Sequence, residues 1–152
     1  ARDQFTLRHV KPHGALYNMA GRDAETARAI VRAMQAVDRG LRLYALAGSE
    51  LAKTGQAAGL PVVQEAFVDR AYRADGNLVP RSEPGALLTT EADVRRQLHR
   101  LMTGTVKSIE GSSVQIHADS LCLHADTPHA VSLTRMIRQE IQSAGIRIMA
   151  PS

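Results

Sequence analysis

Tryptophan is absent and only five residues are aromatic: Phe5, Tyr17, Tyr44, Phe67 and Tyr72. A core built on stacked rings is therefore excluded. Ala, Val, Leu, Ile and Met must fill it, which suits helix-covered parallel strands better than an aromatic-rich β-sandwich. Cysteine occurs once, at Cys122, so no internal disulfide can form and a reducing compartment is expected. No apolar run approaches the roughly 18 residues of a membrane span, and no charged-then-apolar leader is visible. A cytoplasmic protein is the expectation. Clustered basic residues are missing as well. The net charge of +4 is spread as arginines along helix patterns without interleaved aromatics, which argues against a nucleic-acid surface and leaves acidic small molecules compatible. Repeats and low-complexity tracts are also lacking.

What is there is a 152-residue chain, 44% apolar, long enough for one domain with a real core. Alternation predicts a strand over Phe5–Val10. Asp23 is placed to cap a helix with Ala27, Ile30, Val31, Met34 and Val37 on one face, ended by Gly40. Leu41–Ala47 reads as a strand buried on both faces, followed by a helix capped by Ser49 that runs to about Gly59. A third strand is expected from Pro61 to Phe67 or Val68. Thr90 and Asp93 resemble a capping box for a helix with Val94, Leu98, Leu101 and Met102 inward. Val106–Ile109 and Ser113–Ile116 suggest a hairpin around Glu110-Gly111. Ser120–His124 reads as a buried strand. Thr127 and Pro128 are expected as N-cap and N1 of a last helix with Ala130, Leu133, Ile137, Ile141 and Ala144 inward, and Ile146–Met149 as a final strand. The order predicts an α/β fold with a mainly parallel sheet.

The segment Asp69–Leu88 has neither period. It carries Asp69, Arg70, Tyr72, Arg73, Arg81 and Glu83 with two prolines and two glycines, and so long a connection points to an ordered active-site loop. If the strand ends share one rim, Lys11, His13 and Asn18, then Ser49 and Glu50, then Asp69, Arg70 and Tyr72, and finally His124 and Asp126 converge there. His13, His124, Asp126 and Glu50 are candidate general acids or bases, and Lys11, Arg70 and Arg81 candidate cations for a carboxylate or phosphate. His124-Ala125-Asp126 supplies two metal-ligand types where catalytic zinc needs three, so no metal site is assigned. Gly48-Ser-Glu-Leu-Ala-Lys53-Thr54 lacks the glycine that precedes the lysine of a phosphate loop and reads as helix. Cys122 is expected to pack, and His99, His117 and His129 to lie on the surface.

Six stretches in register, His9-Val-Lys-Pro-His-Gly-Ala-Leu-Tyr-Asn18, Leu46-Ala-Gly-Ser-Glu50, Phe67-Val-Asp-Arg-Ala-Tyr72, Asp75-Gly-Asn-Leu-Val-Pro-Arg-Ser82, Pro84-Gly-Ala86 and Leu123-His-Ala-Asp126, closely resemble the LamB/YcsF family, also known as the 5-oxoprolinase A-subunit family. The resemblance implies part of a seven-stranded, TIM-like β/α barrel related to polysaccharide deacetylases. It implies ATP-dependent hydrolysis of 5-oxo-L-proline to L-glutamate together with subunits B and C, with ATP as a nucleotide co-substrate. Motif and rim position then suggest His13, Asp69, His124 and Asp126 as catalytic, and Lys11, Asn18, Glu50, Arg70, Tyr72 and Arg81 as substrate-binding. The acidic first strand of the family is not found in this sequence, which resembles the C-terminal three-fifths: a single domain forming an incomplete barrel. Open strand edges are then expected to favour a homo-oligomer or a larger assembly. A metal-dependent deacetylase-like hydrolase and a non-catalytic scaffold, inactive alone, are the alternatives.

Overall fold

The computed structural model describes residues 6–150, which form two compact units, one ending at Glu65 and the other beginning at Ala66. The first unit is a parallel sheet with helices on one face. Its elements are β1 (His9–Val10), α1 (Gly14–Ala20), α2 (Ala24–Val37), β2 (Arg42–Leu46), α3 (Glu50–Ala57) and β3 (Val62–Phe67), the last of which leads into the second unit. β1 pairs with β2, and β2 with β3 in the register Leu43↔Val62 to Leu46↔Glu65. Residues two apart share a face, so Leu43 and Ala45 join Leu41, Val62 and Val10 against Ala27, Val31 and Met34 of α2 and Leu51 and Ala52 of α3. Each fully buried Leu or Val there contributes about 1.5–3 kcal/mol. The other face carries Tyr44, Leu46, Val63 and Glu65.

Local chemistry sets the helix starts. The Asp23 carboxylate accepts from the Thr26 N–H at 2.6 Å and the Ser49 hydroxyl from the Ala52 N–H at 3.2 Å, each satisfying an amide that the first turn leaves open. Gly48 reaches Ser49 through φ +73°, a left-handed conformation natural to glycine.

In the second unit α4 (Glu91–Met102), β4 (Thr105–Lys107), β5 (Ser113–Gln115), β6 (Ser120–Cys122) and α5 (Ala130–Ser143) follow in order. Thr90 caps α4 through the Asp93 N–H at 3.1 Å, β4 and β5 pair antiparallel, and the Val68 N–H donates to Cys122 O at 3.1 Å. Val94, Leu98, Leu101, Val106, Ile116, Leu133 and Met136 are buried. The segment 69–88 is folded back on itself: Ala71 N–H donates to Ala86 O, Leu88 N–H to Asp69 O and Val79 N–H to Ala71 O at 2.9–3.0 Å. Ala71, Val79 and Ala86 form a small core beneath it, and the Pro84-Gly85 turn closes with Gly85 at φ +78°.

Several expectations give way. Of the first strand, only His9–Val10 is strand among the described residues, and Phe5 lies outside them. Helix α1 goes unannounced in the sequence, because its seven residues are too few to show a period. Val37 is 74% exposed, since at the end of α2 the apolar stripe has rotated off the sheet. Thr127 does not cap α5. Its hydroxyl donates elsewhere, and the helix begins at Ala130 after His129, whose φ is +61°. β6 stops at Cys122 and is half-buried rather than enclosed. Residues 146–149 are not strand, and Ile146, Ile148 and Met149 are exposed. An apolar alternation becomes a strand only where a ladder partner is available.

Candidate active site

In the second unit the chain leaving β3 presents Asp69, 1% exposed. Its Oδ2 accepts from the His124 N–H at 2.9 Å, from His124 Nδ1 at 2.9 Å and from the Thr127 hydroxyl at 2.6 Å. Burial pushes this carboxyl up, but the hydrogen bonds from His124 and Thr127 outweigh it and hold the group below its ordinary value. Asp69 is therefore an anion at neutral pH. An anionic acceptor at Nδ1 makes that nitrogen the protonated one, so in the neutral imidazole the lone pair lies on Nε2. The Phe67 ring stacks on the imidazole at 5.2 Å between centroids and 16° between planes. His124, with 26% of its side chain exposed, is thus fixed in tautomer and in plane while remaining reachable.

Two further side chains brace the same loop. Tyr72, fully buried, accepts the Phe67 N–H on Oη at 2.7 Å. Gln97 on α4 donates to Phe67 O at 3.0 Å and to Arg70 O at 2.5 Å. Arg70 is 3% exposed; its Nη2 donates to Val79 O at 2.6 Å, while its Nε is buried without an acceptor among the described residues. Desolvation, and then the nearby Arg81 charge, pull the Arg70 guanidinium below its ordinary value. Arg81 Nη1 donates to Asp126 Oδ2 at 3.0 Å across an exposed pair, and that contact draws the Asp126 carboxyl down.

In the first unit Lys11, one residue past β1, donates from Nζ to Glu65 Oε1 at 2.6 Å. Tyr17 of α1 donates its hydroxyl to Glu65 Oε2 at 3.2 Å. The glutamate is nearly enclosed, with 4% of its side chain exposed, whereas 20% of Lys11 remains open. The other residues expected here are spread out. His13 is exposed at the N-cap of α1 without a side-chain cap bond. Asn18 turns back to Gly14 O at 3.1 Å, and Glu50 pairs with Lys53 at 2.9 Å.

Within the second unit, then, Asp69, Thr127 and His124 come together, while Asp126 binds Arg81. The residue holding His124 is Asp69, and Asp126 pairs instead with Arg81. Sequence reasoning passes over Glu65, Tyr17, Phe67, Gln97 and the role of Thr127. Glu65 does carry a signal, as a carboxylate inside the apolar strand Val62–Phe67.

Comparison with known proteins agrees with these motifs. The model of the LamB/YcsF family matches residues 1–152. The 5-oxoprolinase A-subunit of Heliobacterium modesticaldum is 50% identical over 145 residues, which are 95% of this chain and 57% of the relative. The Bacillus subtilis protein of the same name is 45% identical, covering 96% of this chain and 57% of its own. A lactam utilization protein from Thermus thermophilus, known from its crystal structure, superposes with a TM-score of 0.84 at 44% identity, over 96% of this chain and 58% of that one. The chain thus spans under three-fifths of the length of these relatives. By motif, by whole-chain match and by backbone, it belongs to the LamB/YcsF family.

Proposed function

We propose that this chain is the C-terminal three-fifths of a 5-oxoprolinase A-subunit, carrying the proton-transferring residue of that enzyme. The supporting observation is the Asp69–His124 pair: a buried anion fixing an accessible imidazole so that Nε2 is the acceptor. The names of relatives at 45–50% identity supply the substrate class. On the barrel reading, the parallel strands of the first unit belong to a seven-stranded closed sheet completed by chain outside the matched part.

A lactam resists water because amide resonance lowers the electrophilicity of its carbon. In the proposed reaction the carbonyl oxygen takes the terminal phosphoryl group of ATP. Water then adds to the carbon as His124 Nε2 accepts its proton. The ring C–N bond breaks, the nitrogen regains that proton, and a second water releases phosphate from the resulting acyl phosphate. The sum is 5-oxoproline, ATP and two waters giving glutamate, ADP and phosphate. Arg81, whose side chain is 44% exposed, offers cationic charge for carboxylate or phosphate oxygens, whereas Arg70 is enclosed and bound to Val79 O; subunits B and C are the proposed partners, with nucleotide handling shared among them. The deacetylase-like alternative asks for a catalytic metal with three ligands. No cluster of three His, Cys, Asp or Glu side chains occurs among the described residues.

The test is glutamate release from 5-oxoproline by the full native chain with subunits B and C and ATP. His124→Gln is expected to lower kcat about 10²–10⁴-fold with the complex intact. Unchanged turnover in that variant refutes the role of His124, and absence of turnover by the wild type refutes the reading itself.

A further inference from the structure

Arg81 and Asp126 meet beside the His124 site without taking part in the proton transfer just described. One bond joins them, from Arg81 Nη1 to Asp126 Oδ2 at 3.0 Å, and both side chains are exposed. A guanidinium carries five N–H donors in a rigid fork. A partner on Nη1 leaves the edge formed by Nε and Nη2, whose N–H groups have no partner among the described residues. That edge matches the two oxygens of a carboxylate. Arg70 is close enough for its charge and that of Arg81 to interact. Its guanidinium is enclosed, bonded to Val79 O, and touches no carboxylate among the described residues. Asp69, the other anion near Arg70, is taken up by His124 and Thr127. Two neighbouring cations are thus met by one surface carboxylate through one oxygen, and the open edge of Arg81 is the place for a further anion. Asp126 follows His124 by two residues, so their Cα atoms are at most about 7 Å apart. A ring held at the imidazole is thereby within reach of Arg81.

We propose that the Nε–Nη2 edge of Arg81 is the receptor for the ring carboxylate of the substrate, and that Asp126 is a built-in competitor that keeps its affinity low. This inference rests on the lactam-hydrolase reading and adds to it which end of the substrate Arg81 takes. Phosphate, the other anion of that reaction, fits this edge less well. The Arg81 contact draws the Asp126 carboxyl down and keeps it anionic, so a dianion placed there meets a fixed like charge.

Three probes separate the possibilities: cyclopentanecarboxylate, the ring carboxylate without an amide; 2-pyrrolidinone, the ring amide without a carboxylate; and inorganic phosphate. With the full native chain in complex with subunits B and C, the two organic probes are titrated by saturation-transfer NMR and phosphate by phosphorus NMR line broadening. Arg81→Gln is expected to weaken cyclopentanecarboxylate about tenfold, the lower end of the scale for a hydrogen bond to a charged group, and to leave 2-pyrrolidinone within about twofold. Arg81→Lys keeps the charge without the fork and is expected to bind cyclopentanecarboxylate more weakly than the wild type. Asp126→Asn removes the competitor and is expected to tighten cyclopentanecarboxylate about two- to fivefold, the range an exposed ion pair is worth. Both positions are exposed, so the complex should fold with either substitution. Cyclopentanecarboxylate binding unchanged in Arg81→Gln, weakened in Asp126→Asn, or absent in the wild type overturns the proposal. So does a larger loss of phosphate than of cyclopentanecarboxylate in Arg81→Gln, which assigns the edge to a phosphoryl group. NMR binding needs no turnover, so a wild type that shows the expected pattern but releases no glutamate sinks the parent reading and leaves the receptor standing.

Discussion

Replacing Asp69 by Asn tests the site at its most enclosed point. The carboxylate accepts three hydrogen bonds on Oδ2, from the His124 amide, His124 Nδ1 and the Thr127 hydroxyl, between 2.6 and 2.9 Å. An asparagine keeps one acceptor, loses the charge, and turns an amide N–H₂ toward a cluster of donors. If each of those bonds weakens by about 1 kcal/mol, the difference between charged and neutral acceptors, and cheaper desolvation returns some of it, the loss is about 2–3 kcal/mol. For a domain of this size that corresponds to a fall in Tm of about 4–12 °C. The loss must also depend on pH. The folded carboxyl lies below its ordinary value, so its stabilisation is complete above the unfolded value of about 3.9 and disappears as pH falls through the depressed folded value. Urea denaturation of wild type and Asp69→Asn at pH 7, 5 and 3 is the assay. The gap should be smaller at pH 3 than at pH 7. A gap below about 0.5 kcal/mol at pH 7, within the range of ordinary surface substitutions, or one unchanged at pH 3, refutes the reasoning.

Two other substitutions probe packing and bracing. Gly55→Ala sets a methyl 2.8 Å from Leu43 Cδ2 and 2.9 Å from Val62 Cγ2, and overpacking of that kind should cost about 1–3 kcal/mol in chemical denaturation; a neutral result means that the interface of α3 with the sheet is loose. Gln97→Leu strips the partner from the carbonyls of Phe67 and Arg70 and is expected to destabilise by about 1–3 kcal/mol. It should also speed amide exchange in residues 67–72; protection equal to the wild type there contradicts the bracing role.

The helix starts at Asp23, Ser49 and Thr90 are readable in the sequence because a cap is a local event: one side-chain oxygen and one amide three residues on. The strand around Leu43 is readable because residues 43–47 are an unbroken apolar run of the kind that burial on both faces demands. The partner of His124 is not. Asp69 and Asp126 are both aspartates in polar loops, and the nearer in sequence is the one bound to Arg81. Only the fold brings position 69 to position 124. Thr127 misleads for a related reason, since a threonine before a proline fits a cap as well as it fits a donor to a distant carboxylate. Glu65 escapes notice because strand patterning treats one charged residue in an apolar run as noise, whereas burial with a lysine and a tyrosine makes it the informative position.

The segment from Phe67 to Tyr72 is pinned on both sides, by the Tyr72 hydroxyl on the Phe67 amide and by Gln97 on the carbonyls of Phe67 and Arg70. Its conformational freedom is surrendered once, when the polypeptide folds, and not again each time a ligand arrives. Under the proposed base role of His124, its orienting carboxylate works against a fixed anvil: the substrate is what must move, and turnover should be insensitive to agents that merely stiffen this stretch.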